Sequence, residues 1–120
     1  AAAGGVALCL LLGACTPARP ALVRLETAQV ADSLVLQVVA VGHARVNAGA
    51  PPALALEGET VVRFAGTIDP AAPDYFIGPS RVAIPAASRE RRGTLHASVC
   101  PEGERVCRVV SLPVRLAASR

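Results

Sequence analysis

The 120-residue sequence contains no lysine, methionine or tryptophan, and its aromatic side chains are one tyrosine and two phenylalanines: Phe64, Tyr75 and Phe76. A nucleic-acid surface needs a dense basic stripe interleaved with rings on which bases stack. The twelve basic residues, all arginine, are instead spread from Arg19 to Arg120, and only Arg89, Arg91 and Arg92 cluster. With a formal net charge of +3, the composition argues against a nucleic-acid partner. No Ser/His/Asp constellation, phosphate-binding glycine loop or pair of catalytic carboxylates stands out, so hydrolysis lacks residues to carry it. Metal binding is poor as well, because two nearby cysteines without a His pair or a third Cys do not complete a tetrahedral site. No cofactor is expected.

Charge is absent from Ala1 to Ala18. Gly4, Gly5, Gly13, Thr16 and Pro17 dilute this run, and its strongly apolar part, Val6 to Leu12, is the size of a signal segment rather than a membrane span. It closes on Leu12-Gly13-Ala14-Cys15, which looks like the lipobox of bacterial lipoproteins, where the cysteine becomes the lipid-bearing N-terminus. The resemblance implies a lipoprotein signal over 1–14, trimmed at its start, a lipidated tether over 15–20 with Cys15 as the acylated residue, and a folded domain over 21–120. Such a protein is expected on the periplasmic side of the cell envelope, anchored to a membrane by its lipid. Of the four cysteines, Cys9 leaves with the signal. Cys100 and Cys107 remain, in a compartment where disulfides persist.

Past the tether, the chain breaks into short β-rich runs separated by turn residues. Strands are expected at Leu22–Glu26, Ser33–Val41 with Arg45–Val46 after Gly42, Ala53–Leu56, Thr60–Ala65, Arg81–Ile84, Thr94–Cys100 and Val106–Leu116. Asn47–Pro52 and the proline-rich Asp69–Pro79 read as loops, and Glu57-Gly58-Glu59 as a turn. With no convincing amphipathic helix and no internal repeat, the pattern predicts an all-β fold: an immunoglobulin-like antiparallel β-sandwich of about seven strands.

The last two runs form a hairpin in this reading. Leu95, Ala97 and Val99 share one face, and His96, Ser98 and Cys100 the other. Val110, Leu112, Val114 and Leu116 form the apolar face of the return strand, with Cys107, Val109, Ser111 and Arg115 opposite. Both cysteines therefore fall on the more polar face, joined through a Pro-Glu-Gly-Glu turn at 101–104. If they sit across from one another, the strand separation suits a disulfide. Parity puts Arg108 on the apolar face, which calls for a loosened strand end or a bulge. Two uses of the pair stay open on spacing: a structural staple, or thiol–disulfide exchange. His96 lies about 13 Å along the strand from Cys100, too far to activate its sulfur, while Arg105 and Arg108 favour a thiolate and Glu102 and Glu104 oppose it.

Three segments resemble the N-terminal periplasmic domain of the protein-disulfide reductase DsbD family. Leu34–Asn47 is similar to an early strand leading into a Gly-His turn. Asp74-Tyr75-Phe76-Ile77-Gly78 looks like that family's cap loop, with Phe76 in the place of the shielding aromatic. Leu95–Leu116 resembles the hairpin that carries the cysteine pair. The sequence departs from the family where Arg108-Val109-Val110 replaces a proline after the second cysteine, and its Cys–Cys spacing is slightly longer. The resemblance implies an immunoglobulin-like fold and catalytic Cys100 and Cys107, with Cys107 attacked first. It also implies a cap made of Asp74, Tyr75 and Phe76, and a thioredoxin-fold or membrane reductase as partner. The alternative is a structural or binding lipoprotein in which the same cysteines form a stabilising disulfide.

Overall fold

Alternation of apolar and polar residues over runs of eight to ten residues dictates half-buried strands, and the computed structural model, which describes residues 21–119, contains strands and no helix. The expected lipidation site, Cys15, lies outside the described residues, as do the signal and tether. Nine strands follow in chain order among the described residues: β1 Val23–Val30, β2 Ser33–Ala40, β3 Arg45–Val46, β4 Ala53–Leu56, β5 Val62–Arg63, β6 Ala65–Ile68, β7 Phe76–Pro85, β8 Arg91–Cys100 and β9 Arg108–Leu116. They form two antiparallel sheets. One has the order β1-β2-β7-β6; in the other, β9 lies on one side of β8, and β3 and β4 share the opposite side, with β5 beyond β4. The fold is an all-β sandwich.

The strand count exceeds seven because single runs change sheets. The expected strand Thr60–Ala65 divides at Phe64: Val62 and Arg63 pair with Leu54 and Ala53 in one sheet, while Ala65 and Thr67 pair with β7 in the other. Phe64 marks the crossing. Its amide donates to the Pro52 carbonyl (2.9 Å) and its ring is buried in the core. Just beyond, β6 shifts register between Ala65 and Thr67, where Gly66 passes so close to Phe76 that an added Cβ would meet the ring at 3.0 Å. β3 likewise leaves the sheet of β2 to pair with the end of β8.

The proline-rich loop is shorter than expected, because β7 begins at Phe76 rather than after Pro79. Pro79 is tolerated there since β7 has run past its partner: the β2–β7 ladder ends at Val38–Ser80, so the missing N–H breaks no bond to β2. Between the sheets Leu36 and Val38 meet Leu54, Leu95 and Val99, all essentially sealed from solvent. Each such side chain contributes about 1.5–3 kcal/mol by leaving water. The expected parity of the β8–β9 hairpin holds in this packing, with Leu95, Ala97, Val99, Val114 and Leu116 buried and His96, Arg115 and Val109 exposed.

Candidate functional site at the hairpin end

The β8–β9 register runs without a slip from Arg91–Leu116 to Val99–Arg108. Its next rung is Cys100 opposite Cys107, and these two are joined by a disulfide. Beyond it the chain turns at Pro101-Glu102-Gly103-Glu104, where the Glu104 amide donates to the Pro101 carbonyl (3.2 Å). Gly103 takes a φ of +77° at the third turn position, as a type II turn requires. Arg108, awkward by parity, sits at the strand's first position and stays exposed, its guanidinium donating to the Glu104 carboxylate at 2.6 Å. No bulge is needed.

The two sulfur-bearing residues are unequal. Cys100 is 6% exposed, although it lies on the polar face of the hairpin, whereas Cys107 is half-buried, with Val106 just before it and Val109 two positions on, 73% and 78% exposed. Cys100 owes its cover to β3 and to the loop before β7. Arg45 is its register partner across the β3–β8 pair. Asn47 forms an isolated bridge with Tyr75, its amide donates to the Ser98 carbonyl (2.9 Å), and the Ala48 amide donates to the Asp74 carbonyl (2.8 Å). The loop is also closed on itself: the Tyr75 amide donates to Ala72, the Asp69 amide to Tyr75, and the Asp69 carboxylate accepts from the Ala71 amide at 2.9 Å.

These bonds bring Tyr75 to a small hollow of about 320 Å³ shared by His43, Arg45, Cys100 and the Pro101–Glu104 turn. The Arg45 guanidinium stacks over the Tyr75 ring, 4.0 Å from its centroid, a cation–π contact. Searches of family models, curated proteins and solved structures find no match to this chain. The chemistry of the site therefore has to be argued from its own residues.

Of the residues that the sequence singles out, Cys100, Cys107 and Tyr75 converge on this end of the sandwich. Phe76 does not line the hollow. Because side chains alternate along a strand, the residue after Tyr75 points the other way, and Phe76 is buried in the core beside Gly66. Asp74 is exposed and holds the loop through its backbone carbonyl. His96 bonds Ser111 across the hairpin (3.1 Å), away from the sulfurs. The sequence alone gives Arg45 no role at the site. Nothing local marks it, since its place opposite Cys100 comes from a pairing of strands 55 positions apart. Among the described residues no group of three His, Cys, Asp or Glu side chains is placed to hold a metal ion, and no helix is long and apolar enough to cross a membrane.

Proposed function

We propose that this domain is an extracytoplasmic thiol–disulfide exchange module, tethered to a membrane through Cys15, that passes reducing equivalents between protein partners through Cys100 and Cys107. The observation that carries the reading is the asymmetry of the pair: one sulfur-bearing residue is buried under a loop and the other is half-open at a hairpin end. A partner thiolate reaches Cys107 more readily than Cys100. Attack forms a bond between the partner sulfur and Cys107 Sγ, breaks the Cys100–Cys107 bond and releases Cys100 as a thiolate. The partner's second thiolate then attacks its own first sulfur and releases Cys107. Two electrons pass from the partner dithiol to the pair, and the partner leaves as a disulfide. Tyr75, rather than Phe76, is the aromatic available to restrict access, and the likeness of three segments to the N-terminal domain of the DsbD family points to a thioredoxin-fold or membrane reductase as donor.

The burial of Cys100 also supports a second reading, in which the bond is a staple of a structural or binding lipoprotein. The reduction potential of the pair separates the two. A soluble form beginning after Cys15, equilibrated in graded thiol buffers and read by alkylation mass, is expected to give a value between about −180 and −270 mV for an exchange protein. A value below about −300 mV marks a structural disulfide and removes the exchange reading.

A further inference from the structure

We propose that Arg45 makes Cys100 the leaving group of the exchange reaction, by placing a guanidinium that forms no ion pair among the described residues beside the sulfur that becomes a thiolate. The inference rests on the exchange reading and adds to it the residue that sets the direction of attack. Register partners in an antiparallel pair project to the same side of the sheet with Cβ atoms about 4.5–5.5 Å apart, and Arg45 and Cys100 are such partners. Among the described residues Arg108 is held by Glu104, and of the two exposed arginines near this end, Arg45 and Arg105, only Arg45 lines the hollow with Cys100. Arg45 forms no ion pair among the described residues; its guanidinium rests on the Tyr75 ring. A ring face holds a cation without cancelling its charge.

The remaining titratable groups around Cys100 are His43, Tyr75, Glu102 and Glu104, which line the same hollow, and Asp74 on the loop that carries Tyr75. Glu104 is engaged by Arg108, which leaves Glu102 as the hollow's opposing carboxylate. When a protein dithiol attacks Cys107, the electron pair of the broken S–S bond goes to Cys100 Sγ. A nearby guanidinium stabilises that thiolate and lowers its proton affinity. Attack in the opposite sense, on Cys100, would leave the charge on Cys107 and forgo this stabilisation. Burial of Cys100 thus directs attack to Cys107 by access, and the charge of Arg45 offsets the cost that the same burial imposes on the Cys100 thiolate.

The test uses Arg45→Gln and Arg45→Lys in the domain with both cysteines intact. In the reduced protein, the pH dependence of Cys100 alkylation is followed by site-resolved mass spectrometry. In the oxidised protein, reduction by dithiothreitol and by reduced thioredoxin is timed. Arg45→Gln is expected to move the Cys100 alkylation midpoint up by about one pH unit. It should slow reduction by both dithiols several-fold, with an equilibrium shift of up to about tenfold, equivalent to about 30 mV toward a lower potential. Arg45→Lys should restore most of both effects, which a merely structural role for the side chain would not predict. If the wild-type protein is reduced readily but Arg45→Gln leaves the midpoint and the rate unchanged, the assignment of Arg45 is overturned and the exchange reading stands. If the wild-type disulfide resists both dithiols, the exchange reading falls and the role of Arg45 falls with it.

Discussion

At the Arg91–Leu116 end of the β8–β9 hairpin, four arginines share two carboxylates. Arg89 and Arg91 approach Glu59 at 3.8 and 3.7 Å, and Arg92 and Arg115 both reach Glu90, at 3.0 and 3.2 Å. At the Cys100–Cys107 end, Arg108 is matched by Glu104, but Arg45 lies on an aromatic ring. One hairpin therefore presents an end where each of these arginines has a carboxylate partner and an end with a disulfide and an arginine that forms no ion pair among the described residues. The difference teaches where chemistry is to be sought. Matched charges in a folded domain contribute little beyond solubility and modest stability, whereas a cation held by a ring keeps its field for another group.

The comparison breaks most visibly at the structural end. Gly93 faces β4 so closely that a Cβ there would overlap the Ala55 carbonyl oxygen and come within 2.7 Å of the Leu56 Cα. Those are backbone atoms and cannot swing aside. Gly93→Ala is expected to cost about 3 kcal/mol, at the upper end for overpacked sites, in a urea titration. Its effect on the rate of disulfide reduction under native conditions should be small, because the site lies seven residues along β8 from Cys100. A variant that instead opened the disulfide to reductant would mean that the two ends are mechanically coupled through β8.

Removing both sulfurs, as Cys100→Ala with Cys107→Ala, addresses the other end. A bond closing so short a loop stabilises by about 2.5 kcal/mol on the chain-entropy estimate. The double variant is expected to unfold at correspondingly lower urea while keeping its β-sheet circular dichroism spectrum, since Leu36, Leu54, Leu95 and Val99 form the core without it. Loss of the folded spectrum at room temperature would show that the bond is the staple on which the sandwich depends.

The architecture was legible where local pattern decides it. β4 lies at Ala53–Leu56 as expected, β2 within one residue of its expected end, and the Pro101–Glu104 turn and the facing of β8 and β9 follow from alternation and from Gly103. What escaped was set by partners distant in sequence. No local signal says that Phe64 carries the chain from one sheet to the other, because Val62 and Arg63 would continue into Ala65 equally well as one strand. The assignment of the cap aromatic depended on parity: Tyr75 and Phe76 are adjacent, and which of them faces the hollow follows from where β7 starts. Arg45 had no signature at all until β3 was paired with β8.

Tyr75 sharpens the comparison at the disulfide end. Tyr75→Ala removes the ring under Arg45 and one wall of the hollow, and it is expected to cost about 1 kcal/mol through the lost cation–π contact. Reduction by dithiothreitol should become several-fold faster if the ring limits access to the sulfurs. Tyr75→Phe keeps the ring face and should behave like the wild type in both measurements. An accelerated Tyr75→Phe variant would shift the role from the ring to the phenolic hydroxyl.

The smallest effect is expected from Glu90→Gln, which leaves Arg92 and Arg115 without their shared carboxylate. Arg92, Arg115 and Glu90 are all well exposed, so water takes over the solvation of both guanidinium groups, and the change should stay below about 1 kcal/mol and shrink further in 1 M salt. The value matters because of its counterpart. If Glu90→Gln proves nearly neutral while Arg45→Gln alters thiol chemistry at unchanged stability, charge at the two ends is used differently: for solvation at one and for reactivity at the other. A large, salt-resistant loss from Glu90→Gln would instead mean that the paired arginines tie β9 to the loop before β8, and the matched end would then be as much a fastening of the hairpin as the disulfide is.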